Sequence, residues 1–115
     1  MRKQKVPELI EFVHASTETR PDGSVVGVGP HIGCVLARRV RARDADTGQF
    51  KSVIGIGWSK VNVSAGDTFD KDRALQIARG RAIYGNEPSI PRKLMKPHER
   101  MADRAERYFQ DLFWV

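Results

Sequence analysis

The side chains that could do chemistry are few and scattered. Three histidines, His14, His31 and His98, fall in different parts of the chain, and a single cysteine, Cys34, stands alone. Histidines so dispersed do not announce a metal site. One cysteine forms neither an internal disulfide nor a cysteine-rich zinc centre, so Cys34 is expected to pack as a small hydrophobe. Asp67 and Asp70 have the types needed for acid and base, yet a helix start accounts for both, with Asp67 capping the first amides and Asp70 in the first turn. The glycines of "GVGPHIG" miss the spacing of a dinucleotide fingerprint, and no helix follows them. No nucleophile elbow or cofactor motif occurs, so the sequence points to a binding protein with no cofactor rather than to an enzyme.

Arginine is the residue type whose placement raises a question. In "DTFDKDRALQIARGRA", residues 67–82, a helical count puts Ala74, Ile77 and Ala78 on one face and Arg81 next in that row, while Arg79 points away toward solvent. A guanidinium keeps its proton, so a sheltered Arg81 needs carbonyls, a carboxylate such as Glu87 or Glu99, or a bound anion. Asp70 shares the face but lies about 16 Å away along the axis, too far to pair. Gly80 costs the helix about 1 kcal/mol relative to alanine, which hints at the close approach of a backbone or a ligand. A second basic feature alternates along "CVLARRVRAR", with Arg39, Arg41 and Arg43 on one side and Leu36, Val40 and Ala42 on the other. Should Ile54 and Ile56 join the apolar side, Gly55 and Gly57 fall on the arginine side. That arrangement reads as a solvated face, as a bend or backbone approach, or as a ligand platform holding Arg39 and Arg41.

The elements that must position these residues divide the chain in order. Strands and turns fill the first two thirds and helices the last third, which predicts an α+β fold with an antiparallel sheet of about four or five strands followed by two C-terminal helices. The 115 residues suit a single domain, 1–115, with a sheet lobe over 1–63 and a helical lobe over 64–115. "LIEFVHAST" and "SVVGVG" pair across the turn "RPDG". A loop over Gly29, Pro30, His31 and Gly33 follows, and "CVLARRVRAR" and "FKSVIGIGWSKVNV" make the clearest hairpin. Gly85 stops the first helix, and Pro97 suits the first turn of the second. In that last helix Met101, Ala105, Tyr108, Phe109 and Leu112 form an apolar stripe, extended by Phe113, Trp114 and Val115, which serves either to cover the sheet or to meet another subunit.

Net charge of +6 and a pI near 9.9 attract anions, whether nucleic acid, a nucleotide or an acidic partner. No window approaches the roughly 18 apolar residues of a membrane span, and "MRKQKVPEL" lacks a secretory core, so a cytoplasmic protein without a membrane partner is expected.

Taken together, "GWS" at 57–59, "DTFD" at 67–70, "IARGRA" at 77–82, "IP" at 90–91 and "ERYF" at 106–109 resemble a family of small tailed-phage proteins over about the last sixty residues. Within that family they resemble the Thoeris anti-defence sponges, which sequester cyclic ADP-ribose signals in the host cytoplasm without degrading them. The resemblance implies a sheet followed by two helices, assembled into dimers or larger rings through the C-terminal helices. It also implies a ligand site in which Arg81 anchors phosphate or ribose, Asn62 and Ser64 make polar contacts, and Trp58 or Phe69 stacks on the base. Two other readings stand beside it. One is a nucleic-acid-binding accessory protein using Arg39, Arg41, Arg43 and lysines of the linker on phosphates; the other is an inhibitor that meets a host protein through its aromatic last helix.

Overall fold

The computed structural model describes residues 7–62, 65–85 and 89–112, the last two of them by backbone alone. Among these, β1 (Glu8–Thr19), β2 (Val25–Arg43) and β3 (Phe50–Lys60) form an antiparallel meander in the order β1-β2-β3, and α1 (Lys71–Tyr84) and α2 (Arg92–Leu112) follow. The fold is α+β, with three strands rather than four or five. The expected loop at Gly29–Gly33 is absent because β2 runs straight through it. Two register shifts, on either side of His14, absorb the extra residues on β2, and Pro30 sits where no ladder amide is required. "LIEFVHAST" therefore belongs to the main sheet.

Both hairpin turns have local causes. In the first, Gly23 adopts a positive φ of 87° and the Asp22 carboxylate accepts from the Ser24 amide and hydroxyl. In the second, Asp44 Oδ1 accepts from the Asp46 amide, and Gly48 turns the chain into Gln49. Beyond the second register shift, Ser16–Thr19 and Val25–His31 continue as a ribbon without a buried side chain.

The helices cover opposite faces of the sheet. On one face α2 lays Leu94, Met101, Ala105 and Phe109 against Leu9, Val13, Val35, Ala37 and Trp58. Its stripe covers the sheet, while Tyr108 remains 41% exposed, and Phe113, Trp114 and Val115 lie outside the described residues. On the other face α1 lays Ala74, Ala78 and Ala82 against Cys34 and Leu36. Cys34 is fully buried, as its solitary position predicts; burial pushes its thiol pKa up.

The β2–β3 register differs from the expected one. Arg39 pairs with Ile54 and Ala37 with Ile56, whereas Leu36 pairs with Gly57 and Arg38 with Gly55. The glycines thus lie on the apolar face beneath α1, and the isoleucines share Arg39's face beneath α2. The reason is steric: a Cβ on Gly57 would strike the Ala78 carbonyl, and one on Gly55 the Ala82 carbonyl. A helix presenting only alanines reaches its strand when the strand presents no side chain at all.

Three helix expectations need correction. Asp70, not Asp67, is the N-cap of α1, accepting from the Arg73 amide at 3.1 Å. Pro97 lies inside α2, well past its first turn. Gly80 faces open space, with nothing within 4 Å of a Cβ built there, so no backbone approaches it. Gly80→Ala is therefore expected to stabilise the protein by about 0.5–1 kcal/mol, read as a higher urea midpoint; a lower midpoint would mean that something packs against this turn. Gly85 does end α1, with φ 69° and its amide donating to the Arg81 carbonyl.

Among the described residues, no helix is long and apolar enough to cross a membrane.

Candidate functional site

β3 is an edge strand, so alternate carbonyls along it point away from the sheet without a ladder partner. One of these, Trp58 C=O, accepts a 2.9 Å hydrogen bond from Arg81 Nη1. Arg81 leaves α1 on one face, passes the edge, and sets its guanidinium 4.3 Å from the centroid of the Trp58 ring, whose side chain belongs to the core on the other face. The indole is only 6% exposed, and its Nε1 has no hydrogen-bond partner among the described residues. A half-buried cation over an aromatic face is favourable, more so as water is excluded. Arg81 thus flanks the apolar row of α1 instead of lying within it, because the buried row is Ala74, Ala78 and Ala82.

Among the described residues the cation is held by a carbonyl and a ring; Glu87, one of the expected carboxylates, lies outside them. Among the described residues no carboxylate pairs with Arg81, and the Trp58 carbonyl is its one hydrogen-bond partner. Most of its donors are left unengaged.

One turn of α1 before Arg81 a groove of about 430 Å³ begins, between the end of β3, residues 66–70 and the start of α1; neither Arg81 nor Trp58 lines it. Ile77, one turn before Arg81, forms its near wall, and Arg73, one turn earlier still, continues the same row. Lys60 and Arg73 supply positive charge. Asp67 and Asp70 also line the groove, but both carboxylates accept from backbone amides, those of Asn62 and Arg73 respectively.

The structure brings together some expected site residues and separates others. Arg81 and Trp58 form one unit. Phe69 lines the groove, yet its ring packs edge-on to Phe12 and against His31, at the far end of α1 and about 18 Å along the helix from Arg81. Asn62 is exposed and spends its side chain and carbonyl on the turn, accepting from the amides of Ala65 and Asp67. Ser64 lies outside the described residues.

The arginine platform is not formed. Arg39 is a strut, donating to Ser52 Oγ at 2.7 Å and to the Phe109 carbonyl at 3.0 Å, which ties the sheet to α2. Arg41 stacks on Phe50, about 20 Å along the strand from Trp58.

One polar cluster escaped the sequence reading. Arg79, expected to face solvent, grips Glu8 with Nε at 2.7 Å and Nη2 at 2.9 Å, and Arg38 reaches the same carboxylate at 3.2 Å. The Arg79 hydrogen bonds hold the Glu8 carboxyl below the usual glutamate range, and the same bonds raise Arg79. This triad fixes α1 to the start of β1.

Elsewhere His14 and His31 stack at 4.4 Å, with His14 Nδ1 against the Gly29 carbonyl, and no cluster of three or more metal-ligating side chains occurs among the described residues. Comparison of the chain with protein-family models, curated proteins and solved structures returns no match.

Proposed function

We propose that the protein binds a small anionic nucleotide at the Arg81–Trp58 edge and holds it without chemical change. The observation that carries this reading is the Arg81 guanidinium, steadied on an indole and a carbonyl with no other hydrogen-bond partner among the described residues, one helical turn from the groove wall at Ile77. A diphosphate meets an arginine fork by paired, charge-assisted hydrogen bonds, and Lys60 and Arg73, which line the groove together with Asp67 and Asp70, offer further donors for a second phosphate or a ribose.

The tailed-phage resemblance supplies the ligand class and the biology: a cyclic ADP-ribose type of immune signal, sequestered in the host cytoplasm by an oligomer. Sequestration requires affinity alone, so no nucleophile or general base need be found. Of the three arginines in the nucleic-acid reading, Arg39 is bonded within the fold, Arg41 lies over Phe50, and Arg43 is exposed.

The experiment is retention. Protein incubated with cyclic ADP-ribose isomers and freed of unbound ligand is heated, and the released material is identified. Intact ligand is expected. Arg81→Ala is expected to weaken binding about 100-fold, and Arg81→Lys to recover only part of that loss, since an ammonium keeps the charge but not the fork. A hydrolysed product, or wild-type protein that retains nothing, overturns the proposal.

A further inference from the structure

A second groove, of about 830 Å³, lies away from Arg81, between the outer edge of β1 and the first turns of α2. At its outer end Thr19 and, from β2, Val25 and Gly27 line it; the rest of its floor is the unbroken run 11–17 of β1. Successive residues point to opposite faces of a sheet, so a groove lined by all of them runs along the strand's edge. Among the described residues β1 pairs with β2 alone, leaving the backbone donors and acceptors of that edge without a ladder partner there. The extra residues at both register shifts are carried by β2, so the β1 edge continues past them.

The wall is basic. Arg92, Lys93, Lys96 and Arg100 of α2 line it, and Glu11 is the one acid among the lining residues, paired with Arg100 at 2.8 Å. Arg92, Lys93 and Lys96 have no ion-pair partner among the described residues. They also stand where a helix favours the opposite charge: the first turn of α2 contains no acid, and its dipole repels cations there. Cations collected at an unfavourable place, beside an unpaired strand edge, mark a site built for something else.

We propose that this groove docks an extended acidic segment of a partner protein, which adds to β1 as a further strand. On β1 the residues facing α2 are Leu9, Glu11 and Val13. An added strand turns every second side chain toward the same helix, so the recognised pattern is an acid at alternate positions, with hydrogen bonds from the edge backbone providing the rest. A single-stranded nucleic acid fits less well. It needs ring faces to stack on, and the Phe12 and His14 rings are engaged with His31, while the open feature is a strand edge. The inference does not depend on the nucleotide site.

The test uses the full chain and a synthetic peptide of about seven residues, ~23 Å when extended, alternating glutamate with valine. Saturable binding that weakens with salt is expected. Lys93→Glu combined with Lys96→Glu should reduce affinity at least tenfold with no loss of melting temperature, because the same change improves the helix dipole. A peptide of equal charge, N-methylated at alternate residues along one edge and in a second version along the other, should lose binding in at least one version. The proposal is overturned if neither N-methylated peptide is weakened, if a lysine–valine peptide binds as well, or if oligothymidylate binds more tightly than the acidic peptide.

Discussion

Gly57→Ala is expected to destabilise the protein by about 3 kcal/mol and to lower its melting temperature by roughly 10–15 °C, with Gly55→Ala close behind. Propensity argues the other way, since alanine in a strand interior is ordinarily better than glycine by about 0.5–1 kcal/mol. Sterics decides. The added methyl meets the Ala78 carbonyl oxygen, a backbone atom that no rotamer change can move aside. To admit it, α1 must lift, taking Ala74, Ala78 and Ala82 off Cys34 and Leu36 and carrying Arg81 away from Trp58. Thermal melts and tryptophan fluorescence follow the two losses together. A Gly57→Ala variant as stable as the parent would show that the helix does not rest on bare strand backbone.

Glu8→Ala is the second large effect, a loss of about 2–3 kcal/mol. The arginine left behind matters more than the bond removed. Arg79 is 37% exposed at its side chain and can turn to water, but Arg38 is only 16% exposed, and its Nε already has no partner among the described residues. Without Glu8 a mostly buried guanidinium is uncompensated.

The same carboxylate sets an acid limit. Its folded pKa lies below the unfolded one, so its contribution is complete above about pH 4.3 and disappears as pH falls below that value. His98 acts earlier. Burial holds its pKa below the usual histidine value, and its Nε2 has no partner among the described residues, so charging it disfavours the folded state as pH falls below about 6.5. Urea midpoints taken from pH 7 to pH 3.5 should therefore fall in two stages. His98→Gln should flatten the first stage and Glu8→Gln the second. A single stage insensitive to His98→Gln would remove histidine from this account.

What could be read in the sequence follows from how local its cause is. Turns, the Gly85 stop and the order of sheet then helices are fixed by neighbouring residues, and they emerged. The strand count failed because Gly29 and Pro30 resemble a loop, and whether a bulge can accommodate them is decided by the partner strand. The register failed for a related reason. Alternation of isoleucine and glycine looks like a buried and an open face, but here the glycines lie on the more tightly packed one. Arg81 was legible because a cation beside an alanine row needs an answer, whereas the carbonyl that answers it belongs to another element. Arg79 was missed entirely: helical geometry turned it outward, and Glu8 lies 71 residues away in the chain.

The ribbon beyond His14 has one more consequence. Two strands with no third beside them are marginal on their own, and the segments Ser16–Thr19 and Val25–His31 bury no side chain to offset that. Unzipping therefore begins at the Gly23 tip and halts near the His14–His31 pair, where the packed layers start. One continuous strand, β2, thus contains both the loosest and the tightest backbone in the sheet, and a protease would find its first cut in the outer half.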